Sequence, residues 1–149
     1  QSGELGGFSH GYTYSGHPVP AAVALETLKI YEERDIVGHV QQVGPIMQAG
    51  LREFAGHPLV GEVRGVGLLA GVELMADGAN RQSFDPAAKV GPKLQALCEE
   101  NGLLIRAMGD SMGFCPPLII DEPTIKKMLI KFSKSLDQAL NWTRQEGLV

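Results

Sequence analysis

Apolar side chains recur along this chain with two different periods. Ile36, Val40, Val43, Met47, Leu51 and Phe54 lie at spacings of 4, 3, 4, 4 and 3, which places them on one stripe of an amphipathic helix. Gly44-Pro45 falls inside that stripe and is expected to kink the helix or delay its start, because proline lacks an N–H and crowds the preceding turn. Gly56-His57-Pro58 ends it. Upstream, a helix is predicted from near Pro18, where proline's missing N–H would have no partner anyway. It carries Val23, Leu25, Leu28 and Tyr31 to a break at Gly38. Near the other end Ile125, Met128, Leu129, Phe132, Leu136 and Leu140 keep helical spacing, with Lys126, Lys127, Lys131 and Lys134 on the polar side. Asp121 stands before them as an N-cap.

Between these helices the period shortens. Val60, Val63, Val66, Leu68, Val72 and Leu74, interleaved with Gly61, Gly65, Gly67 and Gly71, predict two strands joined by a tight glycine turn, or one bent ribbon. A polar loop covers Met75 to Ser83. Asp85-Pro86 can open a further helix, with Gly91-Pro92 a competing start. Val90, Leu94, Leu97 and Cys98 form its apolar face, and Gly102 closes it. Strands Leu103 to Met108 and Met112 to Ile120 follow, separated by Gly109-Asp110-Ser111. Residues 1–17 read as loop. The order (loop, two helices, β-ribbon, helix, hairpin, helix) is α+β, with helices over one face of a small, mainly antiparallel sheet.

Composition narrows the function. The chain has 149 residues, 44% hydrophobic and 20% charged, enough for one domain with a real core. Its 19 glycines are nearly twice the usual share of about 7%, and no G-X-Y period or low-complexity tract absorbs them. A net charge of −4 without a basic stripe argues against nucleic acid as partner. No apolar stretch approaches the roughly 20 residues of a membrane span. Cys98 and Cys115 have no metal-ligand spacing and are too few for a disulfide scaffold. Residue 1 is not Met, so a processed or truncated start is expected, and the setting expected is cytoplasmic.

Two places invite chemistry. In Ser9-His10-Gly11-Tyr12-Thr13-Tyr14-Ser15-Gly16-His17-Pro18 a hydroxyl-bearing glycine loop runs straight into a helix start. Free N–H groups and the helix dipole favour an anion there, and the hydroxyls of Thr13 and Ser15 add donors. The plainer reading is that Ser15 or His17 caps the helix and the glycines turn the chain. His10 and His17 match no metal spacing and read as structural, or as supporting a neighbouring group, rather than as a general base. Arg106 is the second place. Leu104, Arg106 and Met108 share one strand face, opposite Leu103, Ile105 and Ala107. A guanidinium in that apolar setting wants a carboxylate or phosphate, unless it snorkels to water from an edge strand. Arg64, near Glu62 and Glu73, reads as a structural ion pair. Cys98 reads as core, and nothing supports Cys115 as a nucleophile.

With these residues in view, the chain resembles the C-terminal part of a class III pyridoxal-phosphate-dependent aminotransferase, in the ω-amino acid:pyruvate transaminase branch. The resemblance runs through His10 to Pro18, Val63-Arg64-Gly65-Val66-Gly67-Leu68 with Glu73-Leu74, Gly102-Leu103 to Arg106, Gly109-Asp110 and Pro116-Pro117-Leu118. Ornithine-type members tend to carry Phe-Gly-Gly-Asn-Pro where this chain has Tyr14-Ser15-Gly16-His17-Pro18.

The resemblance implies a fold and a set of roles. The fold is a small C-terminal α+β domain (38–149) joined to the end of an α/β large cofactor domain (1–37), as in the PLP-dependent transferase fold type I. Tyr12 and Thr13 would bind the phosphate of pyridoxal 5'-phosphate held by the neighbouring subunit, so the site is completed in a homodimer or tetramer. Arg106 would hold the carboxylate of the amino or keto acid and swing aside when the other substrate has none, as ping-pong turnover requires. The partners are a small-molecule amino donor and a keto acid acceptor. The Schiff-base lysine and the aspartate for the pyridine nitrogen lie upstream in the family and have no counterpart here. No catalytic residue falls in this segment, which alone should be inactive. A non-catalytic dimerisation or regulatory domain of the same fold, another acceptor, and aminomutase activity are the alternatives.

Overall fold

Val60–Val66 (β1) and Leu69–Leu74 (β2) pair antiparallel, so the ribbon is two strands rather than one bent one. Gly67, with φ of 56°, turns the chain in the two residues between Val66 and Leu69, a conformation that costs glycine least. A second hairpin, Arg106–Met108 (β3) and Ser111–Phe114 (β4), turns on Gly109 at φ 62°. The computed structural model describes residues 11–78 and 80–149 and joins the hairpins into one four-stranded sheet, ordered β1-β2-β4-β3. β3 and β4 are shorter than the sequence predicts. The N–H of Leu103 is spent on the Cys98 carbonyl at 2.8 Å, closing the preceding helix. At the far end Pro116-Pro117 bring no donors, and β4 stops at Phe114.

The helices are Pro18–Glu33 (α1), Ile36–Arg52 (α2), Val90–Glu100 (α3) and Glu122–Gln145 (α4). The break between the first two falls at Asp35, not at Gly38. Asp35 takes a left-handed φ of 45°, which aspartate tolerates better than most residues, while Gly38 continues α2. That helix runs through Gly44-Pro45 without interruption. Gly44 is needed for another reason: a Cβ there would stand 3.0 Å from the Gly67 Cα.

Ahead of α3 both predicted starts are used. Asp85 accepts the Ala87 N–H at 2.9 Å and opens a 3-10 turn, Pro86–Ala88. Lys89, between the two, is a left-handed joint at φ 53°. Pro92 then sits in the first turn of α3, where a missing N–H leaves no helical bond unmade. Asp121 caps α4 through the Thr124 N–H at 2.9 Å. Lys131 is not simply on the wet side: its Nζ donates to the Gly102 carbonyl at 2.7 Å, beyond the end of α3.

Two compact units divide the chain, Gln1–Ile36 and Val37–Val149. In the second, one face of the sheet (Ala70, Val72, Leu74, Met112, Phe114) meets Val43, Met47 and Leu51 of α2, Leu94 and Cys98 of α3, and Ile125, Phe132 and Leu136 of α4. Phe132 is fully buried and meets Phe54 and Phe114 edge-on, with ring centroids 5.3 and 4.9 Å away, the arrangement ring quadrupoles favour. Burying a side chain of this size stabilises the fold by about 1.5–3 kcal/mol. The opposite face carries cross-strand rows. Arg64, Gly71, Gly113 and Arg106 form one; Glu62, Glu73, Ser111 and Met108 form the next.

Candidate functional site

The loop before α1 is tightly wound where it is described. Ser15 N–H donates to the Tyr12 carbonyl at 2.8 Å, His17 N–H donates to that of Tyr14 at 3.1 Å, and Gly16 has φ 74°. His17 is the N-cap, its Nδ1 accepting the Val19 N–H at 3.2 Å. This corrects the expectation of free N–H groups at the helix start. Pro18 and Pro20 have none, Val19 is capped, and Ala21 donates to the His17 carbonyl at 3.2 Å. What remains for an anion is the dipole's positive end, the exposed Thr13 hydroxyl and the turn around it. Thr13 makes no side-chain hydrogen bond to a described residue, and an exposed hydroxyl on a turn of this kind fits a phosphate. Ser9 and His10 lie outside the described residues.

Arg106 opens β3, and the alternation predicted around it holds. Leu104, Arg106 and Met108 are exposed, while Leu103, Ile105 and Ala107 pack against the core. Its guanidinium forms no ion pair with a described residue. Beside it lies an open cavity of about 510 Å³, walled by Leu104, Phe114, Pro116, Ile120 and Met128. The side chain therefore has the chemistry of a carboxylate clamp, a free fork of donors beside apolar surface.

Three contacts fix the β3–β4 hairpin to α3. At the start, Gly102 (φ 75°) and the Leu103 bond to Cys98 close the helix. At the turn, Asp110 Oδ1 accepts the Gly91 N–H at 2.8 Å and so caps α3 from another element. In the middle, the Ala107 N–H donates to Gln95 Oε1 at 2.8 Å, and Gln95 Nε2 donates to Glu99 at 3.0 Å. Sequence reasoning missed Gln95 and the capping role of Asp110, because each acts across a separation that local periodicity does not encode.

Arg64 is the structural ion pair expected. It lies along Gly71 to reach Glu73 Oε2 at 2.6 Å and Ser111 Oγ at 3.2 Å, with Glu62 at 3.5 Å. Both cysteines are free. Cys98 is buried, which pushes its thiol pKa up, and Cys115 is exposed at the cavity. His57 Nδ1 accepts the Leu59 N–H at 3.2 Å, while its buried Nε2 stands 3.5 Å from Asp137 and has no hydrogen-bond partner among the described residues. Burial lowers the His57 pKa and outweighs the opposing pull of Asp137. Among the described residues no group of three or more His, Cys, Asp or Glu could hold a metal.

Residues 2–136 match the family Aminotransferase class-III. The chain is 45% identical over 141 residues to "Gamma aminobutyrate transaminase 3, chloroplastic" of Solanum lycopersicum, covering 95% of this chain and 27% of that protein. Against "Probable gamma-aminobutyrate transaminase 3, mitochondrial" of Oryza sativa subsp. japonica it is 45% identical over 136 residues, 91% of this chain and 27% of that one. Among solved structures, the omega transaminase from Pseudomonas jessenii in complex with PMP is matched at a TM-score of 0.81 and 44% identity, over 95% of this chain and 31% of that chain. A "Transaminase with L-ala" is matched at 0.82 and 47%, over 94% and 33%. The chain thus spans about a quarter to a third of the length of these proteins.

Proposed function

The chain belongs to the class III aminotransferase family, and we propose on that footing that it is the C-terminal portion of an enzyme moving an amino group from an ω-amino acid or amine to pyruvate. The family's enzymes depend on pyridoxal phosphate. The observation that carries the proposal is Arg106: an exposed guanidinium without an ion pair among the described residues, beside a cavity with apolar walls. Two parallel N–H groups of that fork bind the carboxylate of an amino or keto acid, and the apolar wall takes the rest of the substrate. When a donor has no carboxylate, the side chain turns to water, because no described carboxylate holds it.

Tyr12 and Thr13 bind the cofactor phosphate of a neighbouring subunit in this reading, Thr13 through its hydroxyl. The bound cofactor supplies the electron sink, and its lysine and aspartate partners come from polypeptide outside this chain. The segment alone is therefore inactive. Residues 1–37 are the end of the large domain and 38–149 the small domain. A cytoplasmic setting belongs to the same proposal; imaging of the tagged protein checks it.

The test is substitution in the full-length holoenzyme. Arg106→Ala is expected to lower kcat/KM for carboxylate substrates by about 100-fold, the ~3 kcal/mol of a charge-assisted pair, and to change turnover of simple amines less than threefold. Equal losses for both classes remove the role assigned to Arg106. Pyruvate is expected to serve as acceptor in preference to 2-oxoglutarate, and no turnover with pyruvate overturns that choice.

A further inference from the structure

We propose that Gln95 is a positioning residue for Arg106, holding the strand that carries it at a fixed place beside the cavity. The inference rests on the function proposed above for Arg106 and deepens it.

β3 is three residues long and lies at the sheet's edge, with neighbours on one side only. Arg106 pairs with Gly113, which has no side chain to brace it, and Met108 pairs with Ser111 next to the turn. Between them the Ala107 N–H points away from β4, where an edge strand normally gives its donor to water. Here it donates to Gln95 Oε1 at 2.8 Å.

The orientation of that amide is fixed as well. Gln95 Nε2 donates to Glu99 Oε1 at 3.0 Å one turn along α3, so the oxygen, not the nitrogen, faces the strand. Ala107 is the next residue after Arg106, and its own side faces the core. A shift of the Ala107 amide therefore carries the Arg106 Cα with it. A binding constellation must be held to within about 0.5 Å, so the place of the Ala107 amide bears directly on how the fork meets a carboxylate. The contacts at Gly91 and Leu103 hold the two ends of the hairpin; Gln95 holds the segment beside the guanidinium.

The experiment compares Gln95→Leu, which removes the acceptor at similar volume, with the exchanged pair Gln95→Glu with Glu99→Gln, which restores an acceptor and its helical partner. Single-turnover half-reactions of the full-length holoenzyme are run with L-alanine and with a carboxylate-free arylalkyl amine. Hydrogen exchange is followed at the Ala107 amide. Gln95→Leu is expected to weaken L-alanine binding about tenfold, to leave the amine within twofold, and to speed Ala107 exchange about tenfold, the size of one lost hydrogen bond. The exchanged pair is expected to recover at least half of each effect in logarithmic terms. Equal losses with both donors, or faster exchange with no change in L-alanine binding, overturn the proposal and leave the enzyme reading intact. An unsubstituted holoenzyme that transaminates neither donor overturns that reading and this one with it.

Discussion

The contact between α3 and the β3–β4 turn leaves no room for a side chain at Gly91. A Cβ built there overlaps the Gly109 carbonyl oxygen, stands 2.9 Å from its carbonyl carbon and 3.0 Å from the Asp110 Cα. All three are backbone atoms, so relief requires moving the helix start or the turn rather than rotating a side chain. Gly91→Ala is therefore expected to cost about 3 kcal/mol from overpacking and about 1 kcal/mol from the lengthened Asp110 cap, offset by about 1 kcal/mol of helix propensity. The net of about 3 kcal/mol corresponds to a fall in Tm of roughly 12 °C for a unit of this size. Trp142 is the sole tryptophan; it is half-buried on α4, with Lys93 of α3 5.8 Å from its ring centre, so its fluorescence reports this packing directly. Gly56→Ala is the control, since among the described residues no heavy atom beyond its own chain neighbours lies within 4 Å of a Cβ there; it should stay within about 1 kcal/mol. Asp110→Ala should cost about 1–2 kcal/mol alone and add less than that to Gly91→Ala, because both act on one contact. A Gly91→Ala chain melting within 2 °C of the unsubstituted one would refute the reasoning.

Two further outcomes follow from buried polar groups. Gln48 is buried and donates through Nε2 to the carbonyls of Gly67 and Leu69, at 2.9 and 3.2 Å, so Gln48→Leu leaves the β1–β2 turn without those donors and should cost about 2 kcal/mol in urea unfolding; a loss under 0.5 kcal/mol speaks against it. His57 is held below its ordinary pKa by burial, with Asp137 opposing and Arg144 assisting. The unfolded chain then binds the proton first. This contribution is full above about pH 6.5 and is lost as pH falls from there through the folded value; His57→Gln should flatten the stability profile over that window, and an unchanged slope contradicts the assignment.

Much of this was legible in residue order, and the exceptions share a cause. The α4 stripe from Ile125 to Leu140 and its Asp121 cap are local signals, and the helix follows them. The glycine turns at Gly67 and Gly109 likewise declare themselves, since positive φ is needed there. The first helix break was misplaced because glycine is the stronger breaker by propensity, whereas Asp35 takes the left-handed conformation and Gly38 does not end the helix. Pro18 and Pro20 already announce two absent donors at the α1 start, but the ring of His17 capping Val19 does not follow from spacing. β3 is shorter than its apolar alternation implies, because Leu103 is still closing α3. Gln95 and Asp110 were invisible for a different reason: their partners lie 12 and 19 residues away, and only the packed hairpin brings them together.

The sheet's two borders carry a consequence for other copies of the chain. An open border is a row of unused donors and acceptors on which a foreign segment can add itself, the first step toward aggregation. β3 offers little purchase: it is three residues long, and the amide of its middle residue already belongs to Gln95. β1 is longer, but its register slips between Val60 and Glu62, and Glu62 and Arg64 put charge along it. The glutamine that steadies a guanidinium thus also removes the donor that an intruding strand would seek first.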